Sequence, residues 1–444
     1  MTDKVDNQFF GLFRKFFESG GTTLLLKGAP GSGKTTLAFT IALVLKPSVV
    51  SYISTRVSEE NIDKQFPWLK QSLPETSIRD VRLGKPELLV EEFLQALKHE
   101  NSLVIVDSWD SFARILPQNE ALKTESALVH LASTPVAGAK VVFVSERVEL
   151  SPLEYASDGV IQTEFETVKG RALRRLKILK LRGVRVENPV FLFTLEDAKL
   201  SVAPLSDFFK LPERFEVVRK PQNLCTLGIR DFDRVFGVLE FGCSVGYEFS
   251  SNVRNELKPV FSAAALSNFV AHGGGALIVS HLDKYMERIL LNAQKVFSEQ
   301  VVKSRVRIFT PSFTKNELAS AIPNSVDEFV KELESAKEEV RANAPSRKVM
   351  LAFSISTLQQ RFSNEQQKLS SALYSVLSSA SENGDVVVFN GSSSSPFTKS
   401  VYYFVDKHIR VTSIDGATLV YGVKPHTPFY FLRIQDQISL IELV

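Results

Sequence analysis

The segment Gly28–Thr35, which reads GAPGSGKT, constrains the fold of this chain more than any other feature. It matches the pattern G-x-x-x-x-G-K-[ST] and lies between two apolar runs, TTLLLK at 22–27 and TTLAFTIALVL at 35–45. The first run has the length of a strand and the second has the length of a buried helix. A strand, a glycine-rich turn and a helix in this order form a phosphate-binding loop. The sequence therefore predicts an α/β fold with a phosphate site at the end of one strand.

The predicted loop supplies every group that a bound triphosphate requires. Its glycines let backbone N–H groups face the phosphates, and the following helix adds the positive end of its dipole. Lys34 brings a positive charge to the β and γ oxygens, and Thr35 brings a hydroxyl for Mg²⁺. We expect ATP and Mg²⁺ as cofactors; a plain glycine-rich turn is the alternative. The expected ATP-binding residues are Gly28, Ala29, Pro30, Gly31, Ser32, Gly33, Lys34, Thr35 and Thr36.

An acidic residue ends the apolar run LVIVD at Leu103–Asp107. A parallel strand would deliver this carboxylate to the Mg²⁺ ion beside the loop, so Asp107 joins Thr35 as the expected metal site. Another strand-like run, KVVFVS, follows at 140–145, and ELLVEEFLQALK at 87–98 is typical of an amphipathic crossover helix. These elements predict a parallel sheet with helices on both faces.

Composition limits the number of domains and the kinds of partner. The chain has 444 residues, of which 44% are hydrophobic and 23% charged, so about two domains of ordinary size are expected. The net charge of +3 does not by itself indicate a nucleic-acid or membrane partner. Cys225 and Cys243 lack the spacing of a zinc site or a disulfide framework, which favours a reducing compartment. Since no run of about 18 uncharged apolar residues occurs, we expect a cytoplasmic protein without a membrane partner.

Several stretches beyond the loop resemble the KaiC and RecA-like ATPases. The resemblance keeps the order and spacing of the family's motifs from about residue 15 to residue 205. The stretches are STRVSEENI after the run at 49–54, VDSWDSF around Asp107, LEYASDGVIQTE at 153–164 and LRRLKILKLRGVRVENPVFLFTL at 173–195. This resemblance implies a RecA/KaiC-like P-loop NTPase fold for a first domain at residues 1–208.

The last of these stretches resembles a hairpin that the family uses between subunits. In such proteins a Lys and an Arg of this hairpin reach the γ-phosphate bound by a neighbour, which implies Lys180 and Arg182 as candidate catalytic residues acting in trans. The segment 169–185 contains eight Lys or Arg residues. That pattern is also typical of a solvated strand face, or of a patch for nucleic acid or an acidic partner. These interpretations remain open at this point.

One position departs from the family pattern. KaiC-like enzymes carry a pair of glutamates at the end of the strand equivalent to 52–54, where one carboxylate activates the attacking water. This chain reads TRV there, with Arg56 in the middle. Glu59 and Glu60 come later, in a stretch typical of a helix N-terminus, and are weak catalytic candidates. Because general-base assistance contributes about 10²–10⁴-fold, we expect ATP binding with slow or absent hydrolysis.

The second half, residues 209–444, resembles a degenerate copy of the first. GIRDFDRVFGVLEFGCSV at 228–245 is similar to the stretch that precedes the loop in KaiC-like domains. In the later segments, VMLAF at 349–353 places Phe353 where the first half has its metal-binding acid. The C-terminal segment resembles the basic hairpin without its Lys and Arg pair. An unrelated α/β domain is the alternative interpretation.

The second loop retains none of the phosphate-binding residue types. When Gly242 is aligned with Gly21, Phe249 takes the place of the first loop glycine. Asn255 takes the place of the lysine, and Glu256 takes that of the threonine. A phenylalanine does not suit the tight turn, and a glutamate repels phosphate. The second half is therefore expected to keep the fold without the nucleotide site.

A tandem chain with one intact and one degenerate loop resembles the GvpD family of archaeal gas-vesicle regulators and its P-loop relatives. The resemblance implies an ATP-binding regulatory protein that acts as a nucleotide-dependent switch through a protein partner, such as a transcription regulator. The alternative is an oligomeric RecA/KaiC-like ATPase, either a homo-oligomer or an internal pseudo-dimer, in which a neighbour completes the site. A DNA-binding module that uses the basic segment 171–185 is a third interpretation. Arg56 favours the switch.

Overall fold

The chain forms two compact units in the computed structural model. The first comprises Met1–Pro204 together with Glu442–Val444, and the second comprises Leu205–Ile441. None of the described helices is long and apolar enough to cross a membrane. The structure describes residues 4–54, 57–73, 75–80, 86–113, 123, 126–127, 129–132, 138–206, 215–218, 224–281, 297–311, 317–435 and 437–444.

The first unit is built around one sheet flanked by helices. Its strands are β1 (Thr23–Lys27), β2 (Val49–Ser54), β3 (Glu75–Asp80), β4 (Ser102–Asp107), β5 (Lys140–Ser145), β6 (Gly159–Val168), β7 (Arg171–Leu181), β8 (Val190–Thr194) and β9 (Ser201–Val202). Its helices in the described residues are α1 (Lys4–Glu18), α2 (Lys34–Leu45), α3 (Glu59–Gln65), α4 (Leu69–Ser72), α5 (Pro86–Ala96), α6 (Trp109–Ala113) and α7 (Pro152–Ala156).

Strand order places the end of β1 at the natural ligand site of this sheet. Over the described residues the order is β3-β2-β4-β5-β1-β6-β7-β8-β9. The first six strands of this order run parallel, and β7, β8 and β9 are each antiparallel to the strand before. Every residue of β1 and β4 is buried, as expected for a parallel sheet covered on both faces. Since β2 and β6 lie on opposite sides of β1, the carboxyl end of β1 opens at the topological switch point.

The second unit is built in the same way. Its strands are β10 (Leu224–Cys225), β11 (Leu239–Glu240), β12 (Ser244–Phe249), β13 (Gly275–Val279), β14 (Val306–Thr310), β15 (Ala319–Ala321), β16 (Val349–Ser354), β17 (Val386–Ser392), β18 (Lys407–Ile414), β19 (Ala417–Lys424), β20 (Tyr430–Ile434) and β21 (Ile438–Glu442). Its described helices are α8 (Arg230–Phe236), α9 (Lys258–Ala271), α10 (Glu299–Arg305), α11 (Val326–Asn343), α12 (Ile355–Arg361), α13 (Gln366–Asn383) and α14 (Pro396–Tyr402).

The large sheet of the second unit repeats the strand order of the first. Among the described residues its order is β15-β14-β13-β16-β17-β12-β18-β19-β20-β21. The run β14-β13-β16-β17-β12-β18-β19-β20 of this sheet corresponds strand by strand to the run β3-β2-β4-β5-β1-β6-β7-β8 of the first sheet. Strands β15 and β21 lie at the two edges of the second sheet. The prediction of an α/β chain with a repeated architecture is therefore confirmed.

A shared hydrogen-bond pattern fixes the alignment of the two sheets. Asp158 Oδ2 accepts hydrogen bonds from the backbone N–H and the hydroxyl of Thr23, at 3.2 and 3.0 Å. Asp406 Oδ2 accepts the same pair of bonds from Ser244, both at 2.8 Å. Thr23 begins β1 and Ser244 begins β12, so these residues are equivalent. Counting along each strand from them then places Phe249 where Gly28 stands.

The register of the second sheet corrects one expectation. In the first sheet, Thr23 of β1 pairs with one residue of β5. Asp107 of β4 pairs with the residue three positions later in β5. In the second sheet, Ser244 of β12 pairs with one residue of β17. Ser354 of β16 pairs with the residue three positions later in β17. The assignment of Phe353 to the position of Asp107 is therefore wrong by one residue. Successive strand residues point to opposite faces, so Phe353 is buried in the core and an uncharged serine takes the place of the acid.

Candidate functional site

Two glycines of the loop have a structural requirement for their residue type. A Cβ added to Gly28 would lie 2.3 Å from the backbone O of Thr163 on β6, a distance that no side chain tolerates. Gly33 has φ +98°, and an added Cβ would also press on the side chains of Phe193 and Leu195. The loop therefore lies tightly between β6 and the end of β8, and only glycine fits at these two positions.

The N-terminus of α2 faces the loop without a side-chain cap. Gly33 is the N-cap residue and makes no side-chain hydrogen bond to the helix. The first turn of a helix has N–H groups without intrahelical partners, and these groups bind anions well. Lys34 Nζ donates to the backbone O of Gly28 and of Ala29, both at 2.8 Å. The ammonium group is thus held at the mouth of the loop, where the motif predicts it.

Thr35, at the start of α2, and Asp107, at the carboxyl end of β4, meet as the sequence predicts. Thr35 Oγ1 donates to Asp107 Oδ2 at 2.6 Å. Asp107 is the last residue of β4 and is 8% exposed, because β4 lies inside the sheet. A hydroxyl and a carboxylate beside a phosphate loop are the oxygen ligands that Mg²⁺ uses in phosphate sites. The residues present therefore fit a Mg²⁺ ion bound with a nucleotide.

Tyr52 is a part of this site that the sequence analysis missed. Its hydroxyl donates to Asp107 Oδ2 at 3.0 Å, and its ring packs against Phe39 of α2 with centroids 4.9 Å apart. Burial, and then the charge of Asp107, raises the pKa of Tyr52 well above its ordinary value, so the phenol stays a hydrogen-bond donor. The sequence feature that could have revealed Tyr52 was its position in β2, two residues before the strand end that lies beside Asp107.

The glutamates expected as weak catalytic candidates lie on a solvent-facing turn. Glu59 and Glu60 form the first turn of α3, and both are exposed. Glu60 Oε1 pairs with Lys64 Nζ at 2.7 Å, an ordinary i,i+4 pair of a helix surface. Arg56 and its neighbour Thr55 lie outside the described residues. A role for Glu59 or Glu60 in activating water stays a prediction.

Lys180 and Arg182 contact atoms of their own unit. Lys180 Nζ donates to the backbone O of Ser157 at 2.5 Å and of Tyr155 at 3.3 Å, at the end of α7. Arg182 Nη1 lies 3.0 Å from Asp158 Oδ1. A cation near the last carbonyls of a helix stabilises that helix end, which gives Lys180 a structural role in a single chain. The role of both residues in trans stays a prediction.

The second unit keeps one of these two cations. Both hairpins carry a register shift at the same place, and Lys424 occupies the position of Lys180. Lys424 Nζ donates to the backbone O of Val405 at 2.9 Å, as Lys180 does to Ser157. The expectation that the C-terminal hairpin lacks the lysine is therefore wrong, and only the arginine is missing. In both units the lysine therefore binds the backbone carbonyl of the residue just before the aspartate that precedes the hairpin.

At the strand end that corresponds to the one before the phosphate loop, the second unit carries paired charges on β12 and β18. Glu248 is 1% exposed, and its carboxylate pairs with Arg410 Nη2 at 2.6 Å and with His408 Nε2 at 2.6 Å. Burial opposes the charged form, but the hydrogen bonds from His408 and Arg410 hold the pKa of Glu248 below its ordinary value. In the loop itself, Arg254 pairs with Glu256. The end of β12, which corresponds to the end of β1, thus carries an internal ion-pair network.

Comparison with known proteins identifies the family of this chain. Residues 13–179 match the family described as GvpD gas vesicle protein, P-loop domain, a range that contains the loop, Tyr52 and Asp107. The chain is 30% identical over 330 residues to protein GvpD2 of Halobacterium salinarum, an alignment that covers 67% of this chain and 66% of that protein. It is 26% identical over 324 residues to protein GvpD1 of the same organism, with 66% of this chain and 60% of that protein covered. The alignments thus span slightly less than two thirds of these relatives. The chain is a GvpD-like P-loop protein, and its residues 13–179 match the GvpD P-loop domain family.

Proposed function

We propose that this chain binds ATP and Mg²⁺ at Gly28–Thr36 and acts as a nucleotide-dependent regulatory switch through contacts with another protein. Hydrolysis is slow or absent in this account. Residues 1–208 form the ATP-binding domain, and residues 209–444 form a copy that binds no nucleotide. The description of the matched family points to a role connected with gas vesicles, and the earlier resemblance points to regulation through a transcription regulator.

The contact of Thr35 with Asp107 carries the proposal. The bond places the hydroxyl and the carboxylate on one side of the loop, while Lys34 lies at its mouth. A nucleotide phosphate seated on the N-terminus of α2 meets backbone N–H groups, one ammonium group and these two oxygen ligands. When bound beside Thr35 and Asp107, Mg²⁺ would neutralise part of the negative charge of the phosphates. This set of groups is what tight triphosphate binding requires.

Slow hydrolysis follows from the residues at the end of β2. The strand ends at Ser54, whose side chain is buried and whose Oγ accepts a hydrogen bond from Val57 N at 2.8 Å. The nearest acids along the chain, Glu59 and Glu60, are exposed on α3. Neither this serine nor the TRV stretch that follows it provides a carboxylate as general base for an attacking water, and losing such a base costs about 10²–10⁴-fold in rate. Binding without turnover suits a switch.

Equilibrium binding of ATP tests the proposal, because the chain offers a matched control. Lys34 begins α2 after the first loop, and Lys258 begins α9 after the second. We expect the wild type to bind one ATP per chain, and more tightly with Mg²⁺ than with EDTA. Lys34→Ala should weaken binding about a hundredfold, because the phosphate charge loses its closest cation. Lys258→Ala should bind as the wild type does.

Two outcomes would reject parts of this account. A wild type that binds no ATP at millimolar concentration contradicts a nucleotide site. Equal weakening by Lys34→Ala and Lys258→Ala contradicts the assignment of the site to the first loop alone. A rate of phosphate release per chain that rises with protein concentration favours the alternative. In that alternative, an oligomeric ATPase uses Lys180 and Arg182 on a neighbour's nucleotide.

A further inference from the structure

Arg174 on β7 contacts the phosphate loop from outside. Its Nη1 donates to the backbone O of Gly31 at 2.9 Å, and its guanidinium carbon lies 4.7 Å from the ring centroid of Phe165. On the inner side of the same peptide, Ser32 N donates to Ala29 O at 3.2 Å. The turn in the middle of the loop is therefore held from both sides, and the outer contact is a charge-assisted hydrogen bond.

The same guanidinium also holds a second segment. Arg174 Nε donates to the backbone O of Val444 at 2.6 Å. Guanidinium has five N–H donors in a rigid fork, so it can serve two acceptors at fixed positions, which a lysine cannot do with the same geometry. Residues Glu442–Val444 belong to the first compact unit, and we call them the 442–444 strap.

The 442–444 strap is anchored on the loop side of the sheet by a further residue. Thr194 Oγ1 donates to the backbone O of Glu442 at 2.7 Å and accepts from Val444 N at 3.3 Å. Leu443 between them is 2% exposed. Thr194 ends β8, and its neighbours Phe193 and Leu195 are the side chains against Gly33. The strap thus contacts Arg174, which touches the middle of the phosphate loop, and Thr194, whose chain neighbours touch its end.

We propose that Arg174 is a positioning residue for the phosphate loop and that the 442–444 strap, held by Thr194, keeps Arg174 in place. Docking of the strap and binding of nucleotide are then coupled. A docked strap orders the loop before the phosphates arrive, so less order has to be gained on binding. By linkage, bound nucleotide must stabilise the docked strap by the same factor. This inference rests on the proposed nucleotide site and adds a control element to it.

Affinity for ATP in paired variants tests the coupling. Arg174→Gln removes the charge that contacts Gly31, and Thr194→Val removes the hydroxyl that holds the strap while keeping the side-chain shape. We expect each to weaken ATP binding about tenfold. Arg175→Gln is the control for the first, because Arg175 pairs with glutamates on β6 instead. Thr194→Ser is the control for the second, because it restores the hydroxyl and should restore the affinity.

Hydrogen exchange supplies a readout that is independent of the affinity measurements, and its first arm uses the wild type alone. Saturating ATP should slow amide exchange in the 442–444 strap, and Arg174→Gln should abolish this slowing. Strap exchange that is the same with and without ATP, or wild-type affinity in both Arg174→Gln and Thr194→Val, overturns the inference and leaves the nucleotide site standing. A wild type that binds no ATP overturns the inference and the proposed function together.

Discussion

Thr35 Oγ1 and Asp107 Oδ2 lie 2.6 Å apart, although 72 residues separate them in the sequence. The bond joins the start of α2 to the end of β4, two elements that the parallel sheet brings together at its carboxyl edge. Tyr52 approaches the same carboxylate oxygen from β2. Three elements of the first unit therefore converge on one oxygen atom, which is where a metal ligand must be held still.

Tyr52→Phe tests whether the phenol orients the metal-binding carboxylate. The substitution removes one hydroxyl and leaves the ring packed on Phe39. We expect Mg²⁺ to enhance ATP binding about tenfold less than in the wild type, because outer hydrogen bonds hold metal ligands in place. ATP binding in EDTA should not change. Titration of Mg²⁺ at fixed ATP measures this, with the exposed Tyr155→Phe as control; an unaltered Mg²⁺ dependence would contradict the role.

Asp158→Asn tests how the first unit depends on pH. Burial would raise the pKa of Asp158, but hydrogen bonds from the backbone and hydroxyls of Thr22 and Thr23 bring it below the ordinary value. A lowered pKa means that the stabilisation is complete above about pH 4 and is lost as the pH falls through the folded-state pKa. An amide cannot accept all these bonds as an ion does, so we expect a loss of about 1–3 kcal/mol at pH 7.

Urea denaturation from pH 3 to pH 7 measures this effect. The wild type should lose stability at the acid end, and Asp158→Asn should flatten that part of the profile. Asp406→Asn is the matched variant, because Asp406 makes the equivalent bonds to Ser244. Parallel acid profiles for the wild type and Asp158→Asn would show that this carboxylate contributes nothing to the pH dependence.

Lys180→Ala separates helix capping from catalysis in trans. Because Lys180 Nζ donates to Ser157 O, as Lys424 Nζ does to Val405 O, we expect each alanine variant to lose about 1 kcal/mol of stability. The exposed Lys169→Ala serves as control. Thermal unfolding with ATP-binding assays measures both effects. An unchanged stability together with lost phosphate release in concentrated protein would instead favour the trans-acting role.

Glu248→Gln tests the ion-pair network of the second unit. The carboxylate is buried and pairs with Arg410 and His408, so a neutral amide leaves the half-buried guanidinium of Arg410 without its counter-charge. We expect a loss of about 3–5 kcal/mol in the unfolding free energy, with ATP binding to the remaining folded protein unchanged. The exposed Glu240→Gln is the control. A change in ATP affinity without a change in stability would mean that this network serves the nucleotide site.

Strands β1, β2, β4 and β5 of the first sheet were predictable because each is a mainly apolar run of strand length, whereas β3 reads ETSIRD and gives no such signal. The run 140–145 is a strand with the predicted bounds, and the predicted helix at 35–45 begins one residue earlier, at Lys34. The loop, Thr35 and Asp107 were predictable because their chemistry is fixed by motif and by strand end. Apolar periodicity thus located the elements, and the motif located the chemistry.

Contacts between distant elements were not predictable. Tyr52 looks like any aromatic residue in a buried strand, and only the register of β2 with β4 brings its hydroxyl to Asp107. The error at Phe353 has a related cause, because a strand pattern does not fix register to one residue when both faces are buried. Arg174 stood among eight basic residues, and strand pairing decides which of them faces the loop.

Simultaneous measurement of bound ATP and released phosphate, over a wide range of protein concentration, tests the central claim most directly. The account predicts one ATP bound per wild-type chain, about a hundredfold weaker binding by Lys34→Ala, and phosphate release near background at every protein concentration. Brisk phosphate release whose rate per chain rises with protein concentration, and which disappears in Lys34→Ala, would contradict the switch. That result would show an assembled ATPase with shared sites.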